Sequence, residues 1–172
     1  KKNTKSKGSV KERKAMFDKF GEFDSYTEIN ELADNLLNEG DTDSIRELAK
    51  ENGIPEDYVE MFLQGDIPAL CDSLTAAIGK IEVEMAELKP QELLSDWTEY
   101  IKGQCMENNL MAHNVRKKGK TLKGCIGEIL KWSFKNAIPV DKEIIKAAGV
   151  KGASSVKLGI PGAARAKKII TD

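Results

Sequence analysis

The sequence predicts an all-α protein: a multi-helix bundle of short amphipathic helices, with at most one minor β element near residues 155–160. Three observations carry this reading. Apolar residues recur at intervals of three and four along most of the 172 residues, and glycines and prolines fall between the periodic segments. The composition, 40% apolar and 32% charged, is what helices with wide solvated faces produce. No run approaches the roughly 18 apolar residues of a membrane span, and the Lys-rich start is not followed by the apolar stretch of a signal peptide. A cytoplasmic protein is expected.

Residues 1–9, KKNTKSKGS, contain no apolar side chain and predict a basic arm. Val10, Ala15, Met16, Phe17 and Phe20 then predict a short basic helix ended by Gly21. Ser25 followed by Glu28 is a capping-box pattern, and Ile29, Leu32, Ala33, Leu36 and Leu37 place a helix before Gly40. A second helix, capped at Thr42 or Asp43, carries Ile45, Leu48 and Ala49 and stops at Gly53. Pro55 suits the first turn of a third, with Tyr58, Val59, Phe62 and Leu63 on its apolar face.

From Pro68 to Leu88 the spacing of Leu70, Leu74, Ala77, Ile78, Ile81, Met85 and Leu88 predicts a long helix, despite Gly79. Pro90 restarts the chain as a helix presenting Leu93, Leu94, Trp97, Ile101 and Met106. Leu110 to Val115 reads as a short helix before the basic turn RKKGK. Thr121 or a neighbour opens a helix with Leu122, Cys125, Ile126, Ile129, Leu130, Trp132 and Phe134. Val140 and Asp141 introduce another, ending at Gly149. In KGASSVKLGIPG the alternation Val156, Leu158, Ile160 could pair as a strand, and Ala163 to Ile170 forms a terminal helix.

The net charge of −1 conceals a segregation: residues 1–20 carry 8 basic and 2 acidic groups, residues 21–100 carry 4 and 21, and residues 101–172 carry 15 and 5. This divides the chain into a basic arm with a short helix (1–20), an acidic three-helix unit (21–66) and a helical core with a basic C-terminal half (67–172). Segregated charge steers partners and says nothing direct about fold.

Several motifs invite chemistry. SIRELAKENGIPEDYVEMFL has helix-turn-helix spacing, but its second helix carries Glu56, Asp57 and Glu60 and no base, so phosphates would be repelled. The turn Arg116, Lys117, Lys118, Gly119, Lys120, Thr121 imitates the end of a P-loop; the first glycine would sit at Asn114, and a helix precedes it where a strand is required. Two readings of this turn stand: a solvated basic loop, or a contact of Arg116, Lys117, Lys118, Lys120 and Lys123 with nucleic acid or an acidic surface. One histidine, His113, and three dispersed cysteines, Cys71, Cys105 and Cys125, predict no metal site, no cofactor and a reducing compartment. A pairing of His113 with Cys105 or Cys125 as a thiol nucleophile is the residual enzyme reading, weaker than three core cysteines.

The acidic tract is the sharper signal. Glu22 to Glu60 holds 13 acids and only two bases, Arg46 and Lys50. Either the acids serve solubility, or Glu28, Glu31, Asp34, Glu39, Asp41, Asp43, Glu47, Glu56, Asp57 and Glu60 form a partner-binding face that imitates nucleic-acid phosphates in a cationic groove.

MFDKFGEFDSYTEINELADNLLNEGD, ELKPQELLSDWTEYIKGQCME, RKKGKTLKGCIGEILKWSFKNA and LGIPGAARAKKII together resemble a family encoded on plasmids, phages and conjugative elements of gut Firmicutes, from about Ala15 onward. Parts of that family are associated with type II-A anti-CRISPR proteins, the inhibitors of Cas9, and the K-T-L-K-G-C block also resembles the PcfK-like proteins of conjugative elements. The resemblance implies a stoichiometric, non-enzymatic inhibitor whose partner is Cas9 or its guide RNA complex. The alternative it implies is a DNA-binding accessory protein of a conjugative plasmid or transposon. Neither implies a site residue, and whether the protein is a monomer or a homodimer stays open.

Overall fold

A computed structural model of the chain describes residues 17–149, 155–161 and 163–171, and is mostly helical. The expected arm 1–9, the first part of the expected basic helix and residues 151–154 lie outside the described residues. Residues 17–20 form a turn, closed by the Gly21 amide on the Phe17 carbonyl.

Three helices make the acidic unit: α1 (Tyr26–Glu39), α2 (Thr42–Glu51) and α3 (Glu56–Gln64). Half of the expected capping box forms: Ser25 Oγ accepts the Glu28 amide, while the Glu28 carboxylate reaches back to the Asp24 amide, one residue before the cap. Helix α2 is capped by Asp41, one residue before the expected Thr42, because its carboxylate takes the Ser44 amide at 3.0 Å. Ile29, Ala33, Leu36, Ile45, Leu48, Val59 and Phe62 bury against one another in a first core cluster.

Residues 66–72 correct the sequence reading, which began a helix at Pro68. Leu70 and Cys71 are buried in non-helical chain, and Asn30 of α1 holds Cys71 by both backbone groups, at 2.8 and 3.0 Å. These bonds replace the helical ones Cys71 would otherwise make. Helix α4 (Ser73–Leu88) starts only where Asp72 caps it through the Thr75 amide.

Helix α4 joins the two halves. Ala76 packs into the first cluster, while Ala77 and Ile81 belong to a second with Trp97, Ile101, Cys105, Met111, Leu122, Ile126 and Ile129. Those residues come from α5 (Leu93–Glu107), α6 (Asn109–Arg116) and α7 (Leu122–Lys135). Gly79, which looked like a weak point in the helix, is a contact. A Cβ there would stand 2.3 Å from the Asn52 carbonyl oxygen, and one on Gly53 would stand 2.2 Å from the Gly79 oxygen. The α2–α3 turn therefore lies backbone to backbone on α4.

The chain ends in a smaller lobe. Strands β1 (Ile138–Pro139) and β2 (Lys157–Leu158) pair antiparallel, with Ile138 opposite Leu158, flanking α8 (Lys142–Ala147). Helix α9 (Ala163–Thr171) returns onto α7 and places Ile170 in the second cluster. Met106 and Phe134, expected on buried faces, are 66% and 85% exposed. The buried stripe of α5 runs through Trp97, Ile101 and Cys105, and Met106 lies one helical step, about 100°, off it.

Candidate functional site

The acidic face is built by the same periodicity that builds the core. On α1, Ile29, Ala33 and Leu36 point inward, so Glu31 and Asp34 stand on the opposite side, with Glu28 and Glu39 at its edge. All four are exposed, as are Asp41, Asp43, Glu47, Glu56 and Asp57, while Glu60 is half-buried.

Not all of these carboxylates are available. Glu28 and Asp41 cap helices, Glu47 pairs with Lys19, and Arg46 holds both Glu56 and Glu60. The hydrogen bond to Glu47 raises the Lys19 pKa and the hydrogen bond to Glu60 raises that of Arg46, in each case against an opposing desolvation. Glu31, Asp34, Glu39, Asp43 and Asp57 have no ion-pair partner among the described residues. Those five are the open carboxylates of the acidic unit.

The basic turn is held by acids that the sequence reading left unassigned. Lys80, 1% exposed, donates from Nζ to Glu22 Oε1 and to the Lys117 carbonyl, each at 2.8 Å. Glu22 also accepts the Gly119 amide at 3.2 Å, and Asp24 accepts the Lys118 amide at 2.9 Å. Burial works to raise the Glu22 pKa, but the hydrogen bond and charge of Lys80 outweigh it and hold the carboxyl below its ordinary value. Lys117, Lys118 and Lys120 are thus displayed, exposed, on a turn whose backbone is clamped, and Lys123 stands exposed on the first turn of α7.

Arg116 is a correction. Its side chain is 1% exposed, donates to Asn52 Oδ1 at 2.7 Å, and lies 5.7 Å from the Phe17 ring centroid. Facing inward as the last residue of α6, it joins α6 to the α2–α3 turn and does not reach a partner's surface. Burial lowers its pKa, and Nε and Nη1 have no hydrogen-bond partner among the described residues.

The helix N-terminus that follows the turn is also taken. Glu84, 4% exposed, accepts the Leu122 amide at the first turn of α7, and Thr121 Oγ1 accepts the Gly124 amide at 3.2 Å. An internal carboxylate therefore occupies the place where an external phosphate would sit on the α7 dipole. Burial raises the Glu84 pKa, partly offset by the Leu122 amide and the Lys80 charge.

Desolvation pushes the thiols of Cys71 up to about 12 and of Cys105 and Cys125 to about 11, so at neutral pH they are protonated and unactivated. His113 packs against the Tyr26 ring, centroids 5.5 Å apart. Among the described residues no group of three or more His, Cys, Asp or Glu could hold a metal, and no helix is long and apolar enough to cross a membrane.

The residues missed from the sequence, Glu22, Asp24, Asn52, Lys80 and Glu84, carried one faint signal: Lys80 and Glu84 lie four apart among apolar positions of α4. No protein family, curated protein or solved structure matches the chain at a significant level.

Proposed function

We propose that this chain is a stoichiometric protein inhibitor of an RNA-guided nuclease, Cas9 or its guide RNA complex, and that α1–α3 supply the docking face. The observation that carries the reading is the set of open carboxylates Glu31, Asp34, Glu39, Asp43 and Asp57 on a unit with its own buried core. Such nucleases hold nucleic-acid backbones in a cationic channel. Fixed carboxylates offer that channel an alternative anion without the ordering cost of a flexible strand, and complementary charge speeds encounter. The sequence resemblance points the same way, to a protein of the bacterial host cytoplasm encoded on a mobile element. Binding, with no turnover, blocks DNA binding or cleavage.

Cleavage of a guide-matched plasmid should fall as the protein approaches equimolar with Cas9, and a cleavage rate independent of dose would sink the proposal. Changing Glu31, Asp34, Asp43 and Asp57 to Lys should abolish inhibition while leaving the fold intact.

A second reading is DNA binding through the basic half, favoured by the four exposed lysines of the turn and α7. A labelled duplex should then shift with strong salt dependence, and replacing Lys117, Lys118, Lys120 and Lys123 by Ala should weaken the shift.

A further inference from the structure

Large apolar side chains left in solvent gather at the C-terminal lobe, where Leu130, Phe134, Ile138, Ile144, Leu158 and Ile160 are all exposed. The local structure explains this. Strands β1 and β2 span two residues each and α8 six, and none of the three buries a residue. Elements this short do not persist in water on their own. One face of the ribbon is taken: a Cβ on Gly159 would stand 2.0 Å from the Ser133 carbonyl oxygen, so that face lies on the end of α7. Side chains alternate along extended chain, so Leu158 points away from α7, and Ile138, directly opposite it, shares the outer face. Leu130 and Phe134, four residues apart, form one stripe of α7. Helix α9 covers the other flank of α7, where Arg165 lies 5.6 Å from the Trp132 ring centroid.

The lobe is also cationic. Lys135, Lys142 and Lys157 are exposed and have no ion-pair partner among the described residues, whereas Lys131 and Lys146 are held by Glu128 and Glu143. Asp141 is engaged in the α8 cap through the Glu143 amide. These charges narrow the occupant. A second copy meeting the same face brings three more unpaired lysines against it, and like charges facing each other across an interface are costly. The acidic unit of a second copy offers carboxylates, but Leu37 is its one exposed large apolar side chain among the described residues. A folded protein would need a separate pocket for knobs as prominent as Phe134, 85% exposed, and Ile138, 68% exposed. A bilayer needs none, because fluid lipid closes around whatever projects into it, and anionic headgroups neutralise the lysines.

We propose that the C-terminal lobe docks on the surface of an anionic membrane, with Phe134, Ile138, Leu158 and Ile160 entering the boundary of the acyl layer and Lys135, Lys142 and Lys157 meeting the lipid phosphates. The contact is peripheral and spans nothing. It stands apart from the acidic face of α1–α3 and does not depend on the inhibitor reading.

Co-sedimentation of the full chain with lipid vesicles tests the proposal. The protein should pellet with phosphatidylcholine vesicles containing about one-third phosphatidylglycerol, and bind vesicles of phosphatidylcholine alone at least about tenfold more weakly. Changing Lys135, Lys142 and Lys157 to Ala should weaken anionic binding about a hundredfold, at about 1 kcal/mol for each lysine. Phe134→Ser combined with Ile138→Ser should weaken it about tenfold or more. Both positions are exposed, so the circular dichroism of this double variant should match the parent. Met106→Ser, at an exposed position of α5 outside the lobe, should bind like the parent. The proposal is overturned if the protein stays in the supernatant with both kinds of vesicle, or if neutral vesicles bind it as well as anionic ones. Parent-like binding by the Phe134 and Ile138 double variant also overturns it, since the contact would then belong to lysines elsewhere. A concentration-dependent dimer in sedimentation velocity that the same double variant abolishes would assign the face to a second copy, and overturn it too.

Discussion

Gly79→Ala tests how the two halves of the molecule are joined. On an open helix the change would stabilise, since Ala is favoured over Gly in a helix interior by about 1 kcal/mol. At position 79 the new Cβ would meet the Asn52 oxygen at 2.3 Å and the Gly53 oxygen at 2.8 Å. Both are backbone atoms of the α2–α3 turn, so no side-chain rotation relieves the contact, and α4 must move away from that turn. Overpacking of this kind costs about 1–3 kcal/mol, and occasionally more where backbone has to shift. The same movement stretches the 2.7 Å bond between Asn52 and Arg116, whose loss leaves two buried groups short of partners. Setting a cost of about 3–4 kcal/mol against the propensity gain of about 1 gives a net destabilisation of about 2–3 kcal/mol. Gly127→Ala in α7 is the matched control, because a Cβ there meets nothing within 4 Å. It should stabilise by about 0.5–1 kcal/mol. Urea unfolding followed by far-ultraviolet circular dichroism measures both. If Gly79→Ala is as stable as the parent, or moves the midpoint upward like Gly127→Ala, the backbone contact between α4 and the α2–α3 turn is wrong.

Other consequences follow from the polar network. Lys80→Met removes the ammonium shared by Glu22 and the Lys117 carbonyl; because Glu22 is partly exposed and can rehydrate, the cost should be about 3 kcal/mol, the low end for a broken buried pair. Hydrogen exchange at Lys118 and Gly119 should accelerate in that variant, and unchanged rates would show that the clamp does not hold the turn. For Glu84 the folded pKa is raised above the unfolded value, so between the two the folded state binds more protons and stability falls as pH rises. Glu84→Gln should therefore gain relative to the parent as pH rises from below the ordinary carboxyl value of 4.5 toward neutrality, read as the difference in urea midpoints, and a constant difference would contradict the burial of the charge. Ser25→Ala should cost about 1 kcal/mol through loss of the α1 cap at the Glu28 amide, measured by the same unfolding curves.

Much of the secondary structure was legible because it depends on local spacing. Ile29, Ala33 and Leu36 are a stripe in the sequence and a stripe in the core, and Ser25 and Thr121 cap the helices their positions suggested. The exposed carboxylates of α1–α3 were legible for the same reason, since a residue opposite a buried stripe faces solvent. Where two rules competed, the reading slipped. Leu70 has helical spacing with Leu74, yet the Asn30 bonds to Cys71, 41 residues away, keep that segment out of a helix.

The sequence by itself determined an all-α chain, its acidic first helices and its basic second half, because periodicity and charge are carried by near neighbours. Only the tertiary structure decided that Arg116 is internal while Lys117, Lys118, Lys120 and Lys123 remain outside. It alone decided that Gly79 is a contact surface, that Glu22 and Asp24 clamp a turn more than 90 residues away, and that Glu84 occupies the α7 N-terminus. These depend on which distant backbones come within a few ångströms of one another, a relation no local spacing encodes.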